Sequence, residues 1–277
     1  MGKIIWLASY PRSGNIWLQS FLHNLFRNVD RAPSVQELSA FCTPESSALH
    51  FMTPESQPLG TWTREEVALR RAEAHKAITE LHSDNVFAST RAALVERDGA
   101  PTITMEYTAA AIYVVRNPLD LVVSIAAHGS QSIDEAIDRL GAADESENSD
   151  QFAYEFHGNW STHVLSWSQQ RHAGLHLLRY EDMLSAPKKS FAPLVTFLGF
   201  DTPPERLDRA IQFSSFAELA ARSESADGQA GAGNLAGLFR KGASDQWRDV
   251  LSADQVRCIV KRHGEQMQRF NYIPEDF

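Results

Sequence analysis

The chain has 277 residues, of which 43% are hydrophobic and 10% aromatic, so it can bury a sizeable core and is far from a disordered composition. Its 26 Lys and Arg against 35 Asp and Glu give a net charge of −9, which excludes general attraction to nucleic acid or acidic membrane; an anionic ligand would need a local cluster of cations. Cys42 and Cys258 lie far apart and form no CxxC pair, so they read as structural thiols in a reducing compartment, with no disulfide or zinc pairing.

The apolar run from Lys3 to Ala8 predicts a buried parallel strand. It is too short for a signal peptide and runs into Pro11, and Trp6 stands where myristoylation would want Ser or Thr. No run is long enough to span a membrane, and a cytoplasmic protein is expected. A turn around Pro11 and Gly14 leads into a helix carrying Trp17, Leu18, Phe21, Leu22 and Leu25 at helical spacing. The stretch from Ala32 to Thr63 is polar, with Pro and Ser, and Arg64 to His82 predicts a charged helix. Val86 to Ala88 and Ala110 to Val115 are strands, and Asn117-Pro118 opens a helix with Leu121, Val122 and Ile125 facing inward. Asp144 to Gln151 reads as an exposed acidic loop, followed by a helix from Trp160 to Arg171 and a strand from Leu175 to Leu178. From Ser223 to Gly242 the chain is rich in Gly, Ala and Ser, which suits either a disordered connector or a mobile lid. Strands alternating with helices predict an α/β fold: one doubly wound domain over 1–277 around a central parallel sheet. The stretches 32–82 and 129–159 would cap a substrate pocket.

Trp6 to Leu18 reads WLASYPRSGNIWL. At such a strand–turn–helix junction, free N–H groups and the helix dipole make an anion site, Gly14 permits close approach, and Arg12, Ser13 and Asn15 add a charge and donors. The Walker pattern GxxxxGK[ST] is absent, which speaks against the alternative of a P-loop nucleotide kinase.

Three further segments, IYVVRNPLDLVVS (Ile112 to Ser124), LLRYEDM (Leu177 to Met183) and FRKGASDQW (Phe239 to Trp247), follow in order. With the first loop they resemble the soluble sulfotransferases that use 3′-phosphoadenosine 5′-phosphosulfate (PAPS), and bacterial members acting on small molecules are the natural comparison. Trp160, His163 and Trp167 resemble a further motif of that family, and Ser214-Ser215-Phe216 resembles its adenine-side motif. The resemblance implies a P-loop-like phosphosulfate loop in which Arg12, Ser13, Gly14, Asn15, Ile16 and Trp17 hold the 5′-phosphosulfate. It implies that Arg116, Ser124, Arg240, Lys241 and Gly242 grip the 3′-phosphate, while Tyr180 and Phe216 meet the adenine. The reaction it implies is sulfuryl transfer from PAPS to a hydroxyl of a small-molecule acceptor, leaving PAP. No metal, nucleic acid or membrane is expected to take part, and a monomer or homodimer is expected.

Three positions depart from the family's pattern. Arg12 replaces the usual Lys; it keeps the charge but cannot donate a proton. Ile16 replaces a common Thr, and Asn15 is expected to supply part of the lost hydrogen bonding. Ser89-Thr90-Arg91 stands where the family has its Lys-Thr-His, so the usual base position holds an arginine. His163 is the first substitute as catalytic base beside Arg12, with His128 and His50 next, and Glu96 and Glu106 as carboxylate alternatives. A non-catalytic PAPS- or PAP-binding protein is the other reading that Arg91 motivates.

Overall fold

The computed structural model describes residues 2–169, 173–225 and 242–277. Five strands, β1 (Ile4–Ser9), β2 (Cys42–Pro44), β3 (Val86–Thr90), β4 (Thr108–Val115) and β5 (Leu175–Arg179), form one sheet in the order β2-β3-β1-β4-β5. Every pairing is parallel, with Leu7 opposite both Ser89 and Ile112. Parallel strands covered on both faces are apolar without alternation, and the residues of β1 divide accordingly. Trp6 and Ala8 join Tyr113 and Val115 on one face. Leu7 joins Ile112 and Val114 on the other.

Helices cover each face. The first face packs against α3 (Pro118–Gly129), α5 (Trp160–Ser168) and the helix Ala253–Arg269 through Leu119, Val122, Trp160, Val164, Ile259 and Met267. The second packs against α1 (Asn15–Arg27) through Leu18, Phe21, Leu22 and Leu25, and against Phe191 and Leu194. The α/β architecture with a doubly wound parallel sheet is therefore present.

The intervening stretches hold more structure than a loop reading expects. The edge strand β2 lies inside 32–63. The charged helix, α2, covers Arg64–Thr79. Helix α4 (Ile133–Gly141) precedes the acidic segment, and its Ser132/Glu135 capping box was legible in the sequence. Asp144–Glu145 pairs antiparallel with Phe156–Gly158, where a free loop was expected.

A third apolar cluster joins Phe51, Leu59 and Val67 to Ala153 and Tyr154, so the stretches 32–82 and 129–159 pack on one another. Beneath it, buried Glu45 accepts hydrogen bonds from Arg71 Nη1 (2.5 Å) and His75 Nε2 (3.1 Å), and Arg71 Nη2 donates to the Tyr154 carbonyl (2.8 Å). Burial opposes this charge, but Arg71 and His75 hold the Glu45 carboxyl below its ordinary range. Residues 226–241, most of the expected lid, lie outside the described residues; α6 (Phe216–Ser225) precedes them. Cys42 and Cys258 are free.

Candidate functional site

Because all five strands run the same way, their carboxyl ends share one edge. The chain crosses from one side of β1 to the other between β3 and β4, and ligands of open α/β sheets bind beside such a switch point. A cavity of about 450 Å³ opens there, lined by residues following β1, β3, β4 and β5 together with α3, α4 and α6. Among the described residues its charged wall contains Arg12, Arg91, Arg116 and Arg139 and one carboxylate, Glu155. The acidic chain thus concentrates cations at one place.

The loop after β1 builds the floor. Arg12 and Gly14 take positive φ values of 69° and 101°. A Cβ on Gly14 would lie 2.8 Å from Tyr180 Cδ2, so only glycine fits against that ring. Gly14 is the N-cap of α1 and no side chain caps the helix, so first-turn N–H groups point outward without an intrahelical partner.

Arg116, at the end of β4, donates from Nη1 to the Arg12 carbonyl (2.9 Å), and its guanidinium lies 4.1 Å over the Tyr180 ring. Arg12 Nε donates in turn to Ser124 Oγ on α3 (3.4 Å). Among the described residues, Arg116 Nε, Trp17 Nε1 and Ser13 Oγ are buried without a hydrogen-bond partner. Such donors are costly to leave unpaired, and their gathering at an uncapped helix end fits an oxyanionic ligand. Ile16, Trp17, Tyr180, Phe216 and Gly242 also line the cavity. A Cβ on Gly242 would fall 2.1 Å from the Phe216 ring, so the Gly242 backbone packs directly against that ring. Arg240 and Lys241 lie outside the described residues.

Asn15 differs from expectation. Its Nδ2 donates to the Leu7 carbonyl (2.8 Å) and Ser9 Oγ (3.2 Å), and its Oδ1 accepts from Gln19 (2.7 Å). The side chain ties α1 to β1, so it does not replace the hydroxyl missing at Ile16; only its backbone N–H can serve an anion.

His163 is corrected as well. It is fully buried and not part of the cavity wall. Nε2 lies 3.0 Å from the Arg91 carbonyl, which can only accept, so this nitrogen carries the proton. Nδ1 then accepts from the Tyr113 hydroxyl (2.8 Å). Burial, with His157 nearby, lowers the imidazole to about 3. With both nitrogens committed and no route to the cavity, His163 holds the backbone at Arg91 and takes no acceptor proton.

Of the other residues weighed as bases, His50, Glu96 and Glu106 are outside the cavity wall, while His128 lines it. His128 is exposed, and the partial loss of water around its ring, with the Arg12 and Arg139 cations nearby, lowers the imidazole below its ordinary value. Arg91 lines the cavity just past β3. Glu155 accepts from the Arg91 N–H (2.7 Å) and from its Nη1 (3.3 Å).

Arg139, Glu155 and His157 were not read from the sequence. Tyr154 to His157 alternates in character, a two-residue period that would have placed Glu155 and His157 on one face. Asp120 was also missed. It accepts from the N–H groups of Asp245 (2.7 Å) and Trp247 (3.1 Å), fastening the chain beyond Gly242 to α3. In the YEDM segment, Glu181 accepts from the Asn117 N–H and the Tyr272 hydroxyl, a purely structural position. Among the described residues no group of three or more His, Cys, Asp or Glu is arranged to hold a metal, and no helix is long and apolar enough to cross a membrane.

A sequence profile described as "Sulfotransferase domain" matches residues 3–271. Sulfotransferase 1A1 of Rattus norvegicus is 23% identical over 277 residues, covering 94% of this chain and 83% of that one. Sulfotransferase 2A1 of the same species is 29% identical over 164 residues; that match spans 57% of either chain. Among solved structures, mouse sulfotransferase SULT7A1 complexed with PAP superposes with a TM-score of 0.63 at 20% identity, covering 96% of this chain and 85% of that one. Retinol dehydratase in complex with androsterone and PAP also reaches 0.63, at 17% identity and 96% and 80% coverage.

Proposed function

The chain belongs to the sulfotransferase family, and from that premise we propose that its cavity binds PAPS and passes the sulfuryl group to a hydroxyl of a small-molecule acceptor. The observation that carries this reading is the meeting of Arg12, Arg116, Ser124 and Gly242 at the uncapped N-terminus of α1, where the buried Arg116 Nε, Ser13 Oγ and Trp17 Nε1 have no partner among the described residues. Arg116 and Ser124 bind the 3′-phosphate. The first-turn amides of α1 and Ser13 bind the 5′-phosphosulfate, and Trp17, Tyr180 and Phe216 form the adenine end.

The chemistry asks little of the protein beyond position and charge. The acceptor oxygen forms a bond to sulfur as the bond from sulfur to the bridging phosphate oxygen breaks. Arg12 stabilises the charge that develops on that leaving oxygen. His128, whose imidazole is shifted toward the neutral form, takes the acceptor proton. Arg91 in the usual base position supports a second reading, a protein that binds PAPS or PAP without turnover.

One assay separates these. PAPS is incubated with a panel of alcohols, phenols and polyols, with and without EDTA, and PAP release and sulfated product are followed. Acceptor-dependent release insensitive to EDTA is expected. Tight PAP binding with no release for any acceptor would leave the binder, and activity abolished by EDTA would point to a metal-dependent nucleotide enzyme.

A further inference from the structure

The neighbours Tyr180 and Glu181 hold Arg116 from its two ends. The Tyr180 ring lies 4.1 Å from the guanidinium carbon, while Glu181 Oε1 accepts from the Asn117 N–H (2.9 Å), which belongs to the peptide unit leaving Arg116. A peptide unit is planar, so holding that N–H fixes the backbone rotation on the far side of the Arg116 Cα. The same Asn117 opens α3, where its Oδ1 accepts from the Leu119 N–H (3.0 Å).

Glu181 is in turn held from 91 residues further along the chain. The Tyr272 hydroxyl donates to its Oε2 at 2.7 Å, and the one hydroxyl proton is committed there because the Val115 carbonyl lies 3.5 Å away. Tyr272 is buried, and its ring packs against the Arg179 guanidinium at 4.8 Å and the Phe270 ring at 6.2 Å. None of Tyr272, Glu181 and Asn117 lines the cavity, so these contacts touch no ligand. For packing alone, an apolar pair of the same shape would serve as well, because burying a hydroxyl and a carboxylate is costly. What the polar pair adds is a fixed direction for one N–H group, the one beside Arg116.

Resting on the PAPS reading, we infer that Tyr272 is a positioning residue for the 3′-phosphate site: through Glu181 and the Asn117 N–H it sets the direction in which Arg116 leaves β4. A guanidinium binds phosphate through a planar fork, so its contact depends on angle as well as distance. The 5′ end of the nucleotide is held by the first-turn amides of α1, on a different element, and is spared when this backbone loosens.

The test compares PAP with adenosine 5′-monophosphate (AMP), which lacks the 3′-phosphate, by calorimetry. Tyr272→Phe is expected to weaken PAP about fivefold or more and to change AMP by less than about twofold. In the Arg116→Ala background the same substitution is expected to cost PAP nothing further, since the residue it positions is gone. Glu181→Asp keeps the charge but is one methylene too short to reach both partners, so it should act as Tyr272→Phe does and takes its place if that variant does not fold. Circular dichroism reports the fold. Equal losses for PAP and AMP, no loss for either, or an undiminished loss in Arg116→Ala would overturn the inference while leaving the donor site standing. Failure of both variants to fold would also overturn it, showing a role in folding alone. A wild-type protein that binds PAP no better than AMP would remove Arg116 from the 3′-phosphate, and one that binds neither would overturn the PAPS reading; this inference falls in both cases.

Discussion

Arg116 is held at three points, by the Arg12 carbonyl, by the Tyr180 ring and by burial at the end of β4. Its guanidinium is thus positioned before any ligand arrives, and one donor, Nε, is still unpaired among the described residues. Arg116→Ala should weaken PAP binding by about 1.5–3 kcal/mol, roughly ten- to a hundredfold, measured by calorimetry on a folded variant. Arg116→Lys should recover only part, since an ammonium keeps the charge but not the fork. A second residue-scale prediction concerns the proton. His128→Gln should lower kcat by about 10²–10⁴ and abolish the acidic limb of the pH–rate profile. In the wild type that limb should lie below the ordinary histidine value, because partial desolvation and the two neighbouring arginines favour the neutral ring even though His128 is exposed. A limb that survives in His128→Gln would transfer the role to His157 or Glu155. His163 was the more natural choice from the sequence, because its motif is recognisable. What disqualifies it is a carbonyl 72 residues away, invisible to any local pattern.

Elements meet at the cavity through a few directional contacts. The clearest is Asp120, two backbone acceptances from one carboxylate that bring the chain after Gly242 back onto α3. Burial raises the Asp120 carboxyl, and the bonds from Trp247 and Asp245 together with Arg116 oppose that shift. Asp120→Ala leaves two N–H groups without their partner and should cost about 2–3 kcal/mol in urea unfolding. It should also weaken PAP binding, since Gly242 lies three residues before Asp245. An unchanged PAP affinity in a destabilised Asp120→Ala protein would mean that the Gly242 segment is positioned by something else. The helices themselves were largely legible. The Thr63/Glu66 and Ser252/Gln255 capping boxes fix where Arg64–Thr79 and Ala253–Arg269 begin. The same device at Ser132/Glu135 marks α4, inside the 129–159 stretch that was read only as part of a pocket cap. Strand β2 was harder: three residues at a sheet edge carry too little pattern to announce themselves.

At the scale of the whole molecule, stability should depend on pH through histidines buried as neutral rings. His163 is lowered to about 3 and His263 to about 4, in each case mainly by burial. An unfolded histidine titrates near 6.5, so between that value and the folded one the unfolded chain binds more protons. The contribution of each ring is therefore complete above about pH 6.5 and is lost as pH falls toward the folded value. At pH 5 the loss is about 2 kcal/mol per histidine relative to pH 8. Urea midpoints measured from pH 8 to pH 4.5 should fall accordingly. In His163→Gln, whose amide can still donate to the Arg91 carbonyl, the fall should be shallower. Parallel curves for the two proteins would show that His163 does not carry the effect. The acid limit of stability and the acid limb of activity arise from different histidines, so His128→Gln should alter the second and leave the first in place.

What the sequence determined by itself is what depends on short-range pattern. The unbroken apolar runs of β1 and β4 demanded a sheet covered on both faces. The glycine between Arg12 and the first helix demanded a phosphate-sized turn, because at φ 101° with Tyr180 behind it no other residue fits. The order of the motifs pointed to one shared site, since parallel strands deliver their carboxyl ends to one edge. Tertiary structure alone decided which polar groups face the cavity. Asn15 and His163 have the right chemistry, but neighbours brought from far along the chain satisfy their hydrogen bonds. Glu155 and His157 have no motif, yet the packing of the segment between α4 and α5 against the 45–71 region puts them in the cavity wall. The reason is that a side chain's type sets what it can bind, whereas its burial and partners set whether that capacity remains available.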